Sequence, residues 1–294
     1  MDIRVLRYFL KICELGNISK AAESLHTTQP NLSRQLTQPE EELGRTLVIR
    51  GKRRLTLTEE GEYLRKQALS IVEMADHTES TLKSFQNHIN GHVHIGAAES
   101  TVMAFFASIF QKSWETYPGI SYHLNSGNYV DVTRSLDNGL ADFGIVIEKT
   151  DKSKYHHLQL PHRDTWGILM HRDSPLAQQK SITPADFAQL SLIASREIEE
   201  IGKIKNWASE GSPKVIATCN LITNAALMIE ATSGYALTFE GLTFPSESNH
   251  LVFCPLEPAV TSSTYLIWKK DTPLSKSAQI FLELVKEAVG EQKD

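Results

Sequence analysis

Only three cysteines, Cys13, Cys219 and Cys254, occur in 294 residues. They are widely spaced and sit in or beside apolar runs, which excludes a disulfide framework or a thiolate metal cluster and leaves them as reduced packing residues. Long apolar runs are also missing: the longest nearly uninterrupted one, residues 102–110, is too short to span a bilayer. The first residues lack the basic-then-apolar pattern of an export signal, so the expected location is cytoplasmic, with no membrane partner. No Gly-x-Ser-x-Gly elbow, phosphate-binding Gly-x-x-x-x-Gly-Lys-Ser/Thr loop or Gly-x-Gly-x-x-Gly fingerprint occurs, so neither an enzyme nor a cofactor is expected. Histidine is plentiful, with His92 and His94 on one strand face, His156 beside His157, and His162 nearby. Without a Cys pair or a His-Glu-x-x-His, however, the spacing gives no reason to expect a metal.

An overall excess of positive charge is absent as well, the net being −5. That total hides an asymmetry: residues 1–58 carry ten Lys/Arg against six Asp/Glu, a net of +4, which leaves −9 for the remainder. The local field of a docking domain decides nucleic-acid binding, so overall acidity does not argue against it.

What is present is concentrated in residues 18–43, where two helical patterns meet across His26-Thr27-Thr28. Small Ala21 and Ala22 let the helices cross closely. The second helix opens with Gln29 and Pro30 and presents Asn31, Ser33, Arg34 and Gln35, the uncharged donors and single cation that base edges and phosphates require. Upstream, Val5, Leu6, Phe9, Leu10, Ile12 and Cys13 recur at helical spacing and supply a third helix. Downstream, residues 47–57 alternate into and out of a turn with Gly51, Lys52, Arg53 and Arg54, a hairpin with a cationic tip. An ordinary helical hairpin with a solvated polar face explains the pair alone, but not the third helix and the basic wing. The reading is a winged helix-turn-helix on DNA.

The residues that carry this reading run Leu6-x-x-Phe9, Ala21-Ala22-x-x-Leu25, Gln29-Pro30-x-Leu32-Ser33-Arg34-Gln35-Leu36, Glu40-x-x-Leu43-Gly44-x-x-Leu47-x-x-Arg50 and Leu57-Thr58-x-x-Gly61. In this order they resemble the LysR-type transcriptional regulators. The sequence departs from that pattern at Val48, where Phe is usual, and at Pro39, where an aliphatic residue is usual. Proline inside a helix removes an N–H and clashes with the carbonyl four residues back, so a bend or break is expected near residues 35–39.

From Thr58 to about residue 88 there is no proline, and Leu64, Ala68, Ile71, Ala75, Thr78, Leu82 and Phe85 fall at alternating steps of four and three. That seam suits pairing with a second chain, the alternative being packing on the chain's own C-terminal part. After Gly91, strands alternate with helices, which implies a mostly parallel sheet covered by helices. Gly127-Asn128, Gly139-x-x-Asp142-x-Gly144-Ile145, Pro175-Leu176-Ala177 and Gly234-x-Ala236-Leu237 extend the resemblance to the family's effector-binding region.

The fold expected is therefore an α+β multidomain chain. Residues 1–58 form the winged helix-turn-helix and 59–90 a linker and dimerisation helix. Residues 91–294 form a two-subdomain α/β effector-binding domain resembling periplasmic solute-binding proteins, with subdomain I at about 91–161 and 264–294 and subdomain II at about 162–263. The resemblance implies a dimer or tetramer on double-stranded DNA with an interrupted palindromic site, controlled by a small-molecule effector. Its DNA contacts would be Thr28, Gln29, Pro30, Ser33, Arg34, Arg50 and Arg53. Its effector contacts would be Ser100, Thr101, Ser126, Gly127, Asn128, Ser195 and Arg196. Hydroxyls and N–H groups at helix starts favour an anion there. An enzyme or transport-type binding protein on the same scaffold leaves the first sixty residues unexplained, and a structural nucleoid protein leaves the cleft-forming two hundred without a role.

Overall fold

The computed structural model describes residues 2–51, 55–84, 90–148, 150–195, 202–209, 211–242 and 250–291. They fall into two compact units, Met1–Lys83 and Ser84–Asp294.

In the first unit, α1 (Ile3–Leu15) starts at Asp2, whose carboxylate caps Arg4 N–H, and stops at Gly16 in the left-handed region. Helix α2 (Ile18–Ser24) is capped by Asn17 and α3 (Gln29–Leu43) by Thr28. The turn between α2 and α3 puts His26 at φ 50°, a left-handed conformation that costs a side-chain-bearing residue about 1–2 kcal/mol. Phe9, Ile12, Ala21, Ala22, Leu32, Leu36, Leu47 and Val48 form the core. Leu32 and Leu36 are 0% and 2% exposed, each contributing about 1.5–3 kcal/mol by burial.

The break expected at Pro39 does not occur. Helix α3 runs unbroken through Pro39, which is itself buried, beside Val5 of α1 in a small surface depression. Both flanks hold it. Leu36 is locked in the core, and beyond the proline the N–H groups of Gly44 and Arg45 close on the Glu41 and Glu40 carbonyls. Glu40 does a second job. Its Oε1 accepts the N–H of Leu47 at 2.7 Å and of Val48 at 3.2 Å, fixing the wing's first strand to the helix.

The wing is the antiparallel pair β1 (Val48–Arg50) and β2 (Leu55–Leu57). Its tip, including Arg53, lies outside the described residues. Helix α4 (Glu59–Ser84) follows, with Glu59, Glu60 and Glu62 at its positive end. Gly61 in its first turn is a matter of space, because a Cβ there would collide with the Leu47 carbonyl oxygen. Along the seam Ala68 is fully buried, whereas Ile71 and Leu82 are 41% and 63% exposed; Phe85 lies outside the described residues.

The second unit is built on one sheet. Strands β3 (Gly91–Ala97), β4 (Ile120–Ser126) and β5 (Phe143–Ile147) are parallel. With α5 (Met103–Thr116), α6 (Tyr129–Asp137) and α10 (Lys276–Glu291) they make the first subdomain, whose core gathers Val93, Ile95, Phe106, Phe143, Ile145 and Phe281. Strands β7 (Ser191–Ala194), β8 (Lys214–Thr218) and β9 (Tyr235–Phe239) are parallel in the second subdomain, with α7 (Pro184–Ala188), α8 (Gly202–Trp207) and α9 (Ile222–Ala231).

Two long antiparallel strands join the halves: β6 (Tyr155–His171) and β11 (Thr261–Lys269). The sheet order is β4-β3-β5-β11-β6-β9-β7-β8, with β10 (Leu251–Pro255) also paired to β6. The sheet is thus mixed rather than mostly parallel, because the segments that cross between the subdomains are continuous antiparallel strands. Their register slips between Ser263 and Tyr265, opposite Pro161 of β6. An irregularity is where a residue without an N–H fits a ladder.

Candidate functional site

The helix-turn-helix presents Thr28, Gln29, Pro30 and Arg34 to solvent, with Ser33 half-buried beside them. Thr28 also caps the helix, accepting Asn31 N–H at 3.4 Å, while the Asn31 amide donates to the Thr27 hydroxyl at 2.9 Å. Capped at this end, the first turn of α3 leaves the Gln29 and Asn31 side chains exposed. Arg50 ends β1. The arrangement offers hydrogen-bond donors on a preorganised helix start, which is what reading base edges and gripping phosphate require.

In the second unit a cavity of about 540 Å³ lies between the subdomains. One wall is the carboxyl ends of β3, β4 and β5, the other the ends of β7 and β9 with the starts of α8 and α9, the general position for ligands on such sheets. Much of the lining is apolar, including Ile147, Trp166, Ile193, Leu237 and Phe239. Among the described residues its charged members are Glu99, Glu148 and Lys203.

Of the expected effector residues, Gly127, Asn128 and Ser195 line the cavity, and Arg196 lies outside the described residues. Gly127 lets the chain pass α6 closely, since a Cβ would stand 2.7 Å from that of Asp131. Asn128 caps α6 in a reciprocal box: Oδ1 accepts Asp131 N–H at 2.9 Å and the Asp131 carboxylate accepts Asn128 N–H at 3.3 Å.

Ser100, Thr101 and Ser126, also expected at the effector, stand elsewhere. They are not part of the lining. Ser100 is buried and donates to Asp164 Oδ2 at 2.5 Å, and the Thr101 hydroxyl and N–H donate to Asp164 Oδ1 at 2.9 and 3.2 Å. His162 Nε2 lies 2.7 Å from that hydroxyl and 3.2 Å from the same carboxylate oxygen. Asp164, 1% exposed on β6, therefore fills the start of α5 where an effector anion was expected. Ser126 ends β4 on the exposed surface.

Three charged residues line the cavity beside the expected contacts. Glu99 of the first subdomain accepts the N–H of Ile222, the first residue of α9 in the second, at 2.7 Å. Burial pushes its carboxyl above the ordinary value, the hydrogen bond opposing. Glu148, at φ 58°, accepts Lys203 Nζ at 2.7 Å and Ser263 N–H at 2.6 Å, and Lys203 also donates to the Thr261 carbonyl at 2.8 Å. Glu148 and Lys203 had no local motif, and their signal is spatial.

Burial pushes the Cys13 thiol up to about 12 and raises Cys219 and Cys254 as well, keeping all three protonated and poorly nucleophilic. Among the described residues, no three His, Cys, Asp or Glu side chains are placed to hold a metal ion, although His92, His94 and His123 cluster on β3 and β4. Among the described residues, no helix is long and apolar enough to cross a membrane.

Residues 3–62 match the family described as bacterial regulatory helix-turn-helix protein, lysR family, and residues 86–290 match the LysR substrate binding domain. The chain belongs to the LysR family of transcriptional regulators. Along its length it is 27% identical to the uncharacterised HTH-type transcriptional regulator YvbU of Bacillus subtilis, covering 99% of each chain. It is 26% identical to the Hca operon transcriptional activator HcaR of Escherichia coli, again over 99% of both. Among solved structures, full-length CbnR complexed with its target DNA is similar at a TM-score of 0.72, with 18% identity over 98% of this chain and 100% of that one. At that identity the likeness is one of fold. This LysR-type protein is a DNA-binding transcriptional regulator with an effector-binding domain.

Proposed function

We propose that this regulator reads a two-half-site, interrupted palindrome through Thr28, Gln29, Pro30, Ser33 and Arg34, with Arg50 and Arg53 of the wing on backbone or minor groove. It acts as a self-associated dimer or tetramer in the cytoplasm. A small carboxylate with an apolar body, bound between the subdomains, controls it. The observation that carries the effector reading is the 540 Å³ cavity, whose apolar walls suit such a body. Lys203 and the start of α9 supply the positive end, and a carboxylate already sits on that start in the form of Glu99. Gly127, Asn128, Ser195 and Arg196 are the further contacts. The solved complex of CbnR with its target DNA supports the DNA half of the reading.

The test pairs a labelled-promoter binding assay with a thermal-shift screen of small carboxylates. Gln29→Ala should cost about 1–3 kcal/mol of preference for specific over random DNA. Arg53→Ala should weaken both and lower the salt slope by about one unit. Equal losses on the two DNAs for Gln29→Ala would remove it from the base readers. A screen in which only cations or neutral sugars shift the melting temperature would overturn the carboxylate.

A further inference from the structure

We propose that Glu99 is a latch across the effector cleft, a carboxylate of one subdomain that holds the start of α9 on the other and that a bound effector displaces. This rests on reading the cavity as the effector's seat.

Three helix starts, those of α5, α6 and α9, carry N–H groups that an incoming acceptor could use, and each is already served by this chain. Asp164 serves the start of α5 while taking three further hydroxyl or imidazole partners, and it is almost fully buried. Asn128 and Asp131 serve α6 from within its own first turn. Neither can leave without stranding several polar groups. Helix α9, like α5, has an apolar N-cap with no side-chain bond and no acidic residue in its first turn, but among the described residues it has no buried carboxylate such as Asp164 at its start. Its bond comes instead from Glu99, 123 residues away in sequence and on the opposite wall. That carboxylate accepts one hydrogen bond among the described residues, from Ile222, and stands half-buried at the cavity. Of the three acceptors it is the one that can be exchanged.

The bond also crosses the cleft, so separating the two walls must break it. A second bridge, Glu148 to Lys203, spans the same gap independently. An effector can move the equilibrium between two arrangements only by binding them differently. Replacing Glu99 at Ile222 couples binding to the release of a wall-to-wall contact.

The experiment uses the full-length chain without effector or DNA, so it stands whether or not the effector reading does. Sodium acetate serves as the probe, against sodium chloride at equal ionic strength. Glu99→Ala vacates the start of α9, and acetate at ten times its dissociation constant should raise that variant's Tm by about 2–4 °C. The parent should show no acetate shift. Ile222→Pro removes the N–H at a first helical position, where proline is well tolerated, and should abolish the shift in the double variant. Hydrogen exchange gives a second readout: the Ile222 amide should exchange at least tenfold faster in Glu99→Ala, and also in Glu99→Leu should the alanine variant fold poorly. An equal acetate shift in parent and variants, none in Glu99→Ala, or unchanged exchange at Ile222 would each overturn the latch.

Discussion

At the scale of single residues, the chain spends its buried polar groups on holding elements together rather than on leaving them open for ligand. Asp164 is the clearest case, since it gathers Ser100, Thr101 and His162 at the head of α5. Thr101→Val removes one donor from a buried carboxylate, and hydrogen bonds to charged groups contribute about 1.5–3 kcal/mol. The expected outcome is a loss of that size in urea denaturation, with any effector-induced Tm shift retained; a lost shift at unchanged stability would return Thr101 to the effector site. Glu99 gives a pH signature. Burial raises its carboxyl in the folded state, so the folded chain holds that proton more readily than the unfolded one. The associated stability is full below the ordinary carboxylate range and is lost as pH rises through the raised value. Glu99→Gln keeps a neutral acceptor and lacks this titration. Its stability relative to the parent should therefore grow from acid toward neutral pH and then level off, as chemical denaturation at a series of pH values would show. An advantage that grows toward acid would contradict the sign.

At the scale of elements, most of the pattern was legible because its causes are local. The apolar spacing of Val5, Phe9 and Ile12 marks α1, and the Asn128–Asp131 pair marks the start of α6; both stand where their residues predict. What escaped depends on partners distant in sequence. Strand β6 extends back to Tyr155 through His156, His157, Gln159 and Pro161, a stretch too polar and interrupted to read as a strand, and it is held there by the long ladder with β11. Strand β10 is five residues and owes its existence to β6. The candidate DNA residues of α3 stand on an exposed helix start, whereas Glu99 reaches Ile222 and Glu148 reaches Lys203 only because the subdomains fold against each other. Pro39 shows local chemistry overruled. A proline inside a helix costs about 3 kcal/mol, yet α3 stays whole because Leu36, the caps at Gly44 and the Glu40 bonds to the wing fix both sides of it. That cost is still carried. Pro39→Leu, which restores an N–H for the Gln35 carbonyl in an apolar setting, should raise the melting temperature and sharpen binding to specific DNA. A variant no more stable than the parent would mean that the packing of the proline ring compensates fully.

At the scale of the whole molecule, α4 poses the question of what its exposed apolar residues meet. One face is served by its own unit: Leu64 packs against the helix-turn-helix core, Ala68 is fully buried, and Asp76 pairs with Arg7 of α1 at 3.1 Å. Beyond that, Ile71, Met74 and Leu82 are 41%, 41% and 63% exposed, and Ile71 and Leu82 lie on one heptad seam. A solvated helix has no use for such a seam, while a second copy of α4 would cover it by knobs-into-holes packing. Pairing would join two DNA-reading units, and linking two binding modules raises avidity by about 10²–10⁴-fold when the geometry allows both to engage. Charges placed on the seam should therefore act on DNA without touching the DNA face. The variant Ile71→Glu with Leu82→Glu should sediment as a smaller species than the parent at equal concentration. It should lose affinity for a two-half-site operator by at least a hundredfold, and its binding to a single half-site should change by less than twofold. A variant that keeps both its mass and its operator affinity would assign the seam to contacts within one chain.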